Sequence, residues 1–481
     1  MKKINKIILL ISFIFFSVLL LTSSIFVYKI FETNIVPNKY IAIIGAVLSI
    51  IVLLYFIFIL KRFKVMQIIF NVLAVLLICV ELFAIPKMSE FINFINESFI
   101  TKYDISIYNV MVSSTSSFNS LEDIKGHTLI INDELEGDLL KNELLTKVSN
   151  VTLKDSEDII TDMNKLKYND ELIVIADSVF YDTEVENDPE YEQKVKIIGT
   201  IEIKTKHENK ERKDINITKN SFVVYISGID TRTNSMPTRS LSDVNILMVV
   251  NPDAKKVLLI HTPRDYYVQL HGTTGLRDKL THAGTKKGGV LSSLATMEDL
   301  YNIEIPFYIR VNFKSVVKLV DAIGGIDIYN DQNYTVTSYV DESCNFKPGW
   351  NNGIKGRCAL AFARERHAYK EGDRHRGENQ EQVITRIIDK ASSSKVILNK
   401  YSDILQALQN SFETNIDSEK ITSLVKMQID DMAKWTVDTY NVTGTGKLDY
   451  TYSYPNQKLS VMVPNEETVE EAKKRIKAVL D

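Results

Sequence analysis

Three apolar runs open the chain, Ile7 to Tyr28, Tyr40 to Leu60 and Met66 to Ala84. Each is close to the ~20 residues a helix needs to cross the hydrocarbon core of a bilayer. The first is too long for the apolar part of a signal peptide, and two further spans follow it. A buried core helix fits runs this apolar poorly. Residues 1–88 are therefore expected to form three transmembrane helices, at about 7–28, 40–60 and 66–84.

The charges beside the spans give an orientation. Lys2, Lys3 and Lys6 precede the first, and Lys61, Arg62 and Lys64 fill the short connection between the second and third. The connection between the first and second holds Lys29 and Lys39 with Glu32. The excess of cations on cytosolic loops puts the N-terminus and the second loop in the cytosol. Three crossings then place everything after about Lys87 outside the cell. Asn71 and Glu81 interrupt the third span. Glu81 is near its outer end and is expected to reach the interface, without a function of its own.

With 481 residues, the chain has room for two to four domains. Residues 89–217 alternate strand-like runs (105–113, 128–132, 171–177, 195–205) with helix-like ones (137–148, 155–167), which predicts a small α/β accessory domain. It shows no pairing of His, Cys or carboxylates that suggests a site, and it ends in a charged linker at 206–220. From 218 a second α/β domain follows, with its core at 218–392 and an α/β extension at 393–481. FVVYISGID, DVNILMVVN and KVLLIHTPRD read as apolar strands, SVVKLVDAIGG as an amphipathic helix stopped by glycine, and ENQEQVITRIIDKAS as a further helix. The order suits an α/β/α sandwich around a central mixed sheet.

Two constellations carry chemistry. Asp230 ends one strand and Asp243 begins the next, so the two carboxylates converge at a sheet edge, where α/β proteins bind ligands. They suit Mg²⁺, which keeps waters and takes ligands from phosphate. Two solvated loop aspartates would give the same pattern. The second is ARERHAYKEGDRHRGENQ (363–380), with Arg364, Arg366, Arg374 and Arg376 crowded together. Since the net charge is −4, this cationic cluster is local rather than part of a basic field. With Arg264 at another strand end it forms forks that match phosphate oxygens, although a solvated basic face paired with Glu365, Glu371 and Asp373 would look alike. Of three cysteines, Cys344 and Cys358 could pair on an oxidising side of the membrane, while small buried free cysteines are also common.

Taken together, GIDTR (228–232), SDVNILMVVNP (242–252), TPRDYYV (262–268), DKLTHAG (278–284), NFKSVVKLVDAIGGIDI (312–328), GRCALAFARER (356–366) and GDRHRGENQ (372–380) resemble, in order, the motifs of the LytR-CpsA-Psr family of cell-envelope phosphotransferases, and most closely its CpsA-like members with three membrane spans and an accessory domain. The resemblance favours the chemical reading of both constellations. It implies Mg²⁺ (or Mn²⁺) on Asp230 and Asp243, and a polyprenyl pyrophosphate held by Arg264, Arg364, Arg366, Arg376 and Gln380, with Arg232 and Lys279 added to that set. Asp373 opens the D-x-x-R-x-x-x-Q run and, like Asp230, is a candidate base. One departure stands out: the arginine that usually precedes S-D is Leu241 here, for which Arg239 or Arg232 would have to substitute.

The implied reaction moves a glycopolymer, such as a capsular polysaccharide or teichoic acid, from an undecaprenyl-pyrophosphate carrier to a peptidoglycan hydroxyl, with pyrophosphatase as a side activity. The rival readings are a non-catalytic receptor for the carrier and a membrane-bound transcriptional attenuator. The latter needs a DNA-reading element, and the short cytosolic pieces expected here are too small for one, so no nucleic-acid partner is expected.

Overall fold

In a computed structural model of the chain, the apolar runs form the helices α1 (Lys2–Glu32), α2 (Asn38–Leu60) and α3 (Lys64–Ser98). The structure describes residues 2–98, 103–132, 137–188, 190–206, 215–230, 236–336, 344–365, 367–369, 373–391 and 412–481, with residues 400, 403, 404 and 407. All three helices are long and apolar enough to span a bilayer. They pack around Leu19, Tyr55, Ile59, Phe70 and Ala74, while many other large apolar side chains face outward, as suits helices whose solvent is lipid. α3 passes the expected boundary at 88 and ends at Ser98. Glu81 does not reach an interface: it is buried and accepts hydrogen bonds from the Thr22 and Ser23 hydroxyls of α1. A carboxylate inside a helix bundle needs such donors, and they lie 58 and 59 positions away in the chain.

The accessory domain is built from β1 (Tyr103–Ser113), β2 (Thr128–Ile131), α4 (Gly137–Lys147), β3 (Thr152–Asp155), α5 (Ile159–Lys165), β4 (Val174–Asp177), α6 (Ser178–Asn187), α7 (Tyr191–Lys194) and β5 (Val195–Lys206). Its sheet has the order β3-β2-β4-β1-β5. Val110, Leu129 and Ile175 of the sheet pack with Leu140 and Leu144 of α4. The strand β3 and the helix α6 are absent from the sequence reading. α6 begins where the Asp177 side chain accepts a hydrogen bond from the Val179 N–H at 3.0 Å, a cap that satisfies one of the open donors of a first turn.

The second domain begins with β6 (Phe222–Ile229), β7 (Val244–Asn251), β8 (Lys256–His261), the short β9 (Tyr267–Val268) and β10 (Asp278–Lys279), α8 (Val290–Tyr301), β11 (Phe307–Asn312) and α9 (Phe313–Ala322). It continues through β12 (Ile326–Asn330), β13 (Tyr334–Val336), β14 (Cys344–Phe346), β15 (Gly349–Ile354), α10 (Gly356–Arg364) and α11 (Asp373–Ala391). Beyond these lie β16 (Phe412–Thr414), α12 (Ser418–Asp431), β17 (Thr436–Asn441), β18 (Gly444–Tyr450), β19 (Lys458–Pro464) and α13 (Glu466–Leu480). A disulfide joins Cys344 to Cys358, tying β14 to α10.

The central sheet runs β16-β11-β6-β7-β8-β17 and is mixed: β11 is parallel to β6 and β17 to β8, the other pairs being antiparallel. One face packs Tyr225, Leu247 and Ile260 against α8 and α13 through Leu294, Met297, Val469 and Ile476. The other packs Val224, Ile246 and Leu259 against Phe313, Ile384, Ile421 and Leu424 of α9, α11 and α12. Burial on both faces explains why β6 carries no charge and is apolar but for the Tyr225 and Ser227 hydroxyls, which hydrogen-bond to Ser242 at 3.1 and 2.7 Å. Both edge strands come from beyond residue 392, so the region expected as an extension completes the central sheet.

This topology sets up one edge. The carboxyl ends of β6, β8, β11 and β17 and the amino end of β7 all lie there, because each pairing places them side by side. Residues just after β6 and β8 and just before β7 therefore meet without being near in sequence.

Candidate active site

Asp243 lies at that edge, its backbone N–H donating to Gly228 O at 2.8 Å. The segment before it is fastened from beneath by Arg310 of β11. The Arg310 guanidinium is fully buried, pairs with Glu413 at 3.0 Å, and donates to Pro237 O and to Ser240 Oγ, the latter at 2.7 Å. The loop before α8 is pressed on this segment. Gly289, at φ +53°, passes so close that a β-carbon would meet Thr238 O, so glycine is required there for both conformation and space.

Arg264 follows β8 and is the hub of the site. One of its amino groups donates to Asp243 Oδ1 and the other to Glu186 Oε1, the latter at 2.9 Å. Lys279 of β10 also reaches Glu186 Oε1, at 3.1 Å, and Asp265 Oδ1 at 3.0 Å. Glu186 belongs to α6 of the accessory domain, is 12% exposed, and leaves Oε2 buried without a hydrogen-bond partner among the described residues. The charges tune one another. Burial works to raise the Glu186 carboxyl, but Arg264, Lys279 and His282 together hold it below the usual carboxylate range. Burial likewise opposes the charge on Lys279, and Glu186 and Asp265 hold that ammonium above its ordinary range. Burial pushes the Asp243 carboxyl up, against the pull of Arg264, with Glu186 adding to the rise and Arg376 opposing it.

Asp230, just past β6, is 47% exposed and is paired with Arg364 at the end of α10, Nη2 to Oδ2 at 3.0 Å. The Arg364 guanidinium also covers the Phe313 ring at 4.7 Å, which fixes its plane. α11 begins at Asp373, five residues before the helix read from the sequence, so Arg376 and the buried Gln380 lie one turn apart on it. Gly377 lets this helix close on His261, whose ring a β-carbon would strike. Burial, with Arg376 beside it, pushes the His261 imidazole down to about 4, so it is neutral near pH 7. Glu381, on the same helix, is 3% exposed. Burial pushes its carboxyl up to about 8, with Glu378 adding to the rise.

Arg264, Lys279, Asp243 and Glu186 thus form one network, and Asp230 with Arg364 a second pair at the same sheet edge. Arg376 acts on Asp243 through its charge. Arg232 and Arg366 lie outside the described residues, as does the side chain of Asp373. Arg239 does not stand in for the arginine replaced by Leu241. Its Nε donates to Thr285 O at 2.6 Å, Nη1 lies 3.5 Å from Asp177, and the guanidinium stacks on Phe180 at 5.4 Å, so it faces the accessory domain. Sequence reasoning missed Glu186, Arg310, His261 and Glu381. Arg310 had one signal, a lone cation inside an apolar strand, whereas Glu186 had none.

The donor set bears on a metal. Among the described residues no group of three or more His, Cys, Asp or Glu is arranged to hold an ion. Two hard carboxylates on neighbouring strand ends fit Mg²⁺, which takes one or two carboxylates and fills its remaining positions with water and phosphate oxygens.

Three helices long and apolar enough to cross a membrane thus precede an α/β/α domain whose central sheet carries cations and carboxylates at one edge. Residues 190–477 match the LytR_cpsA_psr family, and the chain belongs to it. It is 30% identical over 244 residues to Biofilm regulatory protein A of Streptococcus mutans, covering 49% of this chain and 59% of that protein. It is 32% identical over 225 residues to the polyisoprenyl-teichoic acid–peptidoglycan teichoic acid transferase TagU of Bacillus cereus, covering 47% of this chain and 70% of that protein. The Enterococcus faecalis TagU is 31% identical over 243 residues, with coverages of 50% and 74%. The crystal structure of TagV from B. subtilis superimposes with a TM-score of 0.46 at 28% identity, over 55% of this chain and 98% of that one.

Proposed function

We propose that the protein transfers a glycopolymer from a polyprenyl-pyrophosphate carrier to a hydroxyl of peptidoglycan. The observation that carries the reading is the convergence of Arg264, Lys279 and Arg364 with Asp230 and Asp243 at one sheet edge, in a member of a family whose relatives include proteins named as teichoic acid transferases. The cations come from separate elements and are held by carboxylates, a geometry a bound pyrophosphate can enter by exchanging one set of anions for another.

In this reading Arg264 and Arg364 bind the pyrophosphate oxygens through their forks. Lys279 and Arg376 add charge where negative charge builds at the phosphorus. Arg232, Arg366 and Gln380 complete the set. Mg²⁺ held by Asp230 and Asp243 would supply Lewis-acid neutralisation of phosphate oxygens. The acceptor hydroxyl attacks the phosphorus next to the sugar and polyprenyl monophosphate leaves. Asp230, the more exposed of the two aspartates, or Asp373 accepts the hydroxyl proton. Positioning and electrostatics supply most of the catalysis, as is usual for phosphoryl transfer. The test is turnover of a lipid-linked pyrophosphate oligosaccharide with peptidoglycan, with and without Mg²⁺; binding without monophosphate release would make the protein a receptor.

The reading requires residues after about Lys87 to be extracellular. Two observations support this. The Cys344–Cys358 disulfide suits an oxidising compartment. Lys39, in the first turn of α2 beside the less cationic of the two connections, pairs with Asp430 of α12 at 2.9 Å, which supports a second domain on the same side as that connection. A cysteine introduced at Lys474 should react with an impermeant reagent on intact cells; reaction only after lysis would reject the orientation.

A further inference from the structure

Between α6 of the accessory domain and the catalytic domain lies a cleft of about 360 Å³. It is lined by Phe180 from α6 and by Arg239, His282, Lys286, Tyr452 and Tyr454 from the catalytic domain. Cations and aromatic faces alternate in it. The Arg239 guanidinium lies over Phe180 at 5.4 Å and Lys286 Nζ over Tyr452 at 4.3 Å, while the rings of His282 and Tyr454 are 6.2 Å apart. His282 is fully buried, and Asp278 fixes its orientation through Nδ1 at 2.7 Å. Its other nitrogen, Nε2, has no hydrogen-bond partner among the described residues. A buried polar atom left unsatisfied costs about 1–3 kcal/mol, so Nε2 calls for a partner from within the cleft, an ordered water or a polar group of a ligand.

The chemistry of this lining is selective. Aromatic faces offer an apolar surface, which the C–H faces of a pyranose ring match. Lys286 and Arg239 beside those rings favour a carboxylate or phosphate on the sugar, and the volume is that of a small-molecule pocket. The cleft also adjoins the phosphate site. Glu186, the partner of Arg264 and Lys279, lies on the same helix as Phe180, and Lys279 precedes His282 by three residues. A saccharide joined to, or approaching, a pyrophosphate at Arg264 and Lys279 has this cleft beside it.

We propose that the cleft between α6 and the catalytic domain is a binding subsite for an anionic saccharide, a sugar bearing a carboxylate or a phosphate, which the accessory domain helps to build. The proposal rests on the phosphotransferase reading for its place in the reaction, though its geometry stands without it. Two sources share this chemistry: a phosphate-bearing donor glycan and the lactyl carboxylate of muramic acid in the acceptor.

The test uses the full chain in detergent and three probes: the disaccharide of N-acetylglucosamine and N-acetylmuramic acid, a glycerol-phosphate-substituted disaccharide, and neutral chitobiose. Titration calorimetry should show at least one anionic probe binding tenfold or more tighter than chitobiose. Lys286→Ala and Tyr452→Ala, both changes at solvent-reachable side chains, should each weaken that probe at least fivefold. Preference for the muramyl disaccharide would assign the cleft to the acceptor, and preference for the phosphate-bearing one to the donor. Equal binding of neutral and anionic probes, no binding of any, or indifference to both substitutions would overturn the proposal. Inorganic pyrophosphate titrated into the same proteins keeps the two readings apart. If it binds while no saccharide does, the subsite is wrong and the phosphate site stands. If saccharides bind and pyrophosphate does not, the phosphate site is wrong.

Discussion

Glu186 of the accessory domain and Arg264 of the catalytic domain, 78 positions apart, form an ion pair of 2.9 Å at the centre of the proposed phosphate site. The same glutamate holds Lys279, so one carboxylate engages two of the cations a pyrophosphate would use. In the proposed reading it is an internal anion that an entering phosphate displaces. Glu186→Gln keeps the shape and removes the charge. Its affinity for inorganic pyrophosphate, measured by calorimetry, should rise about tenfold, the equivalent of one charge-assisted hydrogen bond of ~1.4 kcal/mol. A fall would show that Glu186 supports the bound state, and that the accessory domain completes the site rather than guarding it.

Arg364 is held between Asp230 and the Phe313 ring. Arg364→Ala should lower turnover at least about tenfold, ~1.4 kcal/mol of transition-state stabilisation. Arg364→Lys keeps the charge but loses the planar fork and the stacking, so it should fall between alanine and the native enzyme. Were lysine as active as arginine, a point charge would suffice there and the fork would play no part.

Legibility in the sequence followed periodicity. The central strands were readable because burial on both faces leaves runs such as FVVYISGI without a charged residue. α6 was not, because SVFYDTEVEN has no stripe at helical spacing; a cap from Asp177 and packing against the sheet make it a helix. The start of α11 was missed for a related reason: DRHRG carries charges and a glycine where a helix usually shows its apolar face. Partners brought together only by domain packing leave no local signal. Glu184 and Glu186 look like any exposed acidic helix residues, yet one accepts from Tyr454 and the other from Arg264.

Glu381 gives a stability prediction. Its carboxyl is buried and has its pKa raised from 4.5 to about 8, so between those values the folded protein holds a proton that the unfolded chain has released. Stability contributed by the group is then present below about pH 4.5, falls as pH rises, and levels off above about 8. Glu381→Gln removes the titration. Thermal melts should show the variant gaining on the native protein steadily from pH 5 to pH 8. A constant offset across that range would mean that the carboxyl does not titrate there.

Asp243 separates two roles that a single activity assay confounds. It is the countercharge of Arg264 and, in the proposed mechanism, one of two carboxylates for Mg²⁺. Asp243→Asn removes the charge and nearly preserves the shape. If the countercharge were its whole role, the variant would bind pyrophosphate more tightly and turn over as before at every Mg²⁺ concentration. If it also holds the cation, Asp230 alone retains a hard, strongly hydrated ion poorly. The expected outcome is the second: pyrophosphate binding without Mg²⁺ is kept or tightened, because Arg264 has lost a competing partner, while stimulation of turnover by Mg²⁺ is lost. The measurement is a Mg²⁺ titration of monophosphate release beside a metal-free pyrophosphate titration. Full turnover by Asp243→Asn at the Mg²⁺ concentration that suffices for the native protein would remove the metal from this carboxylate and leave it the single role of holding Arg264.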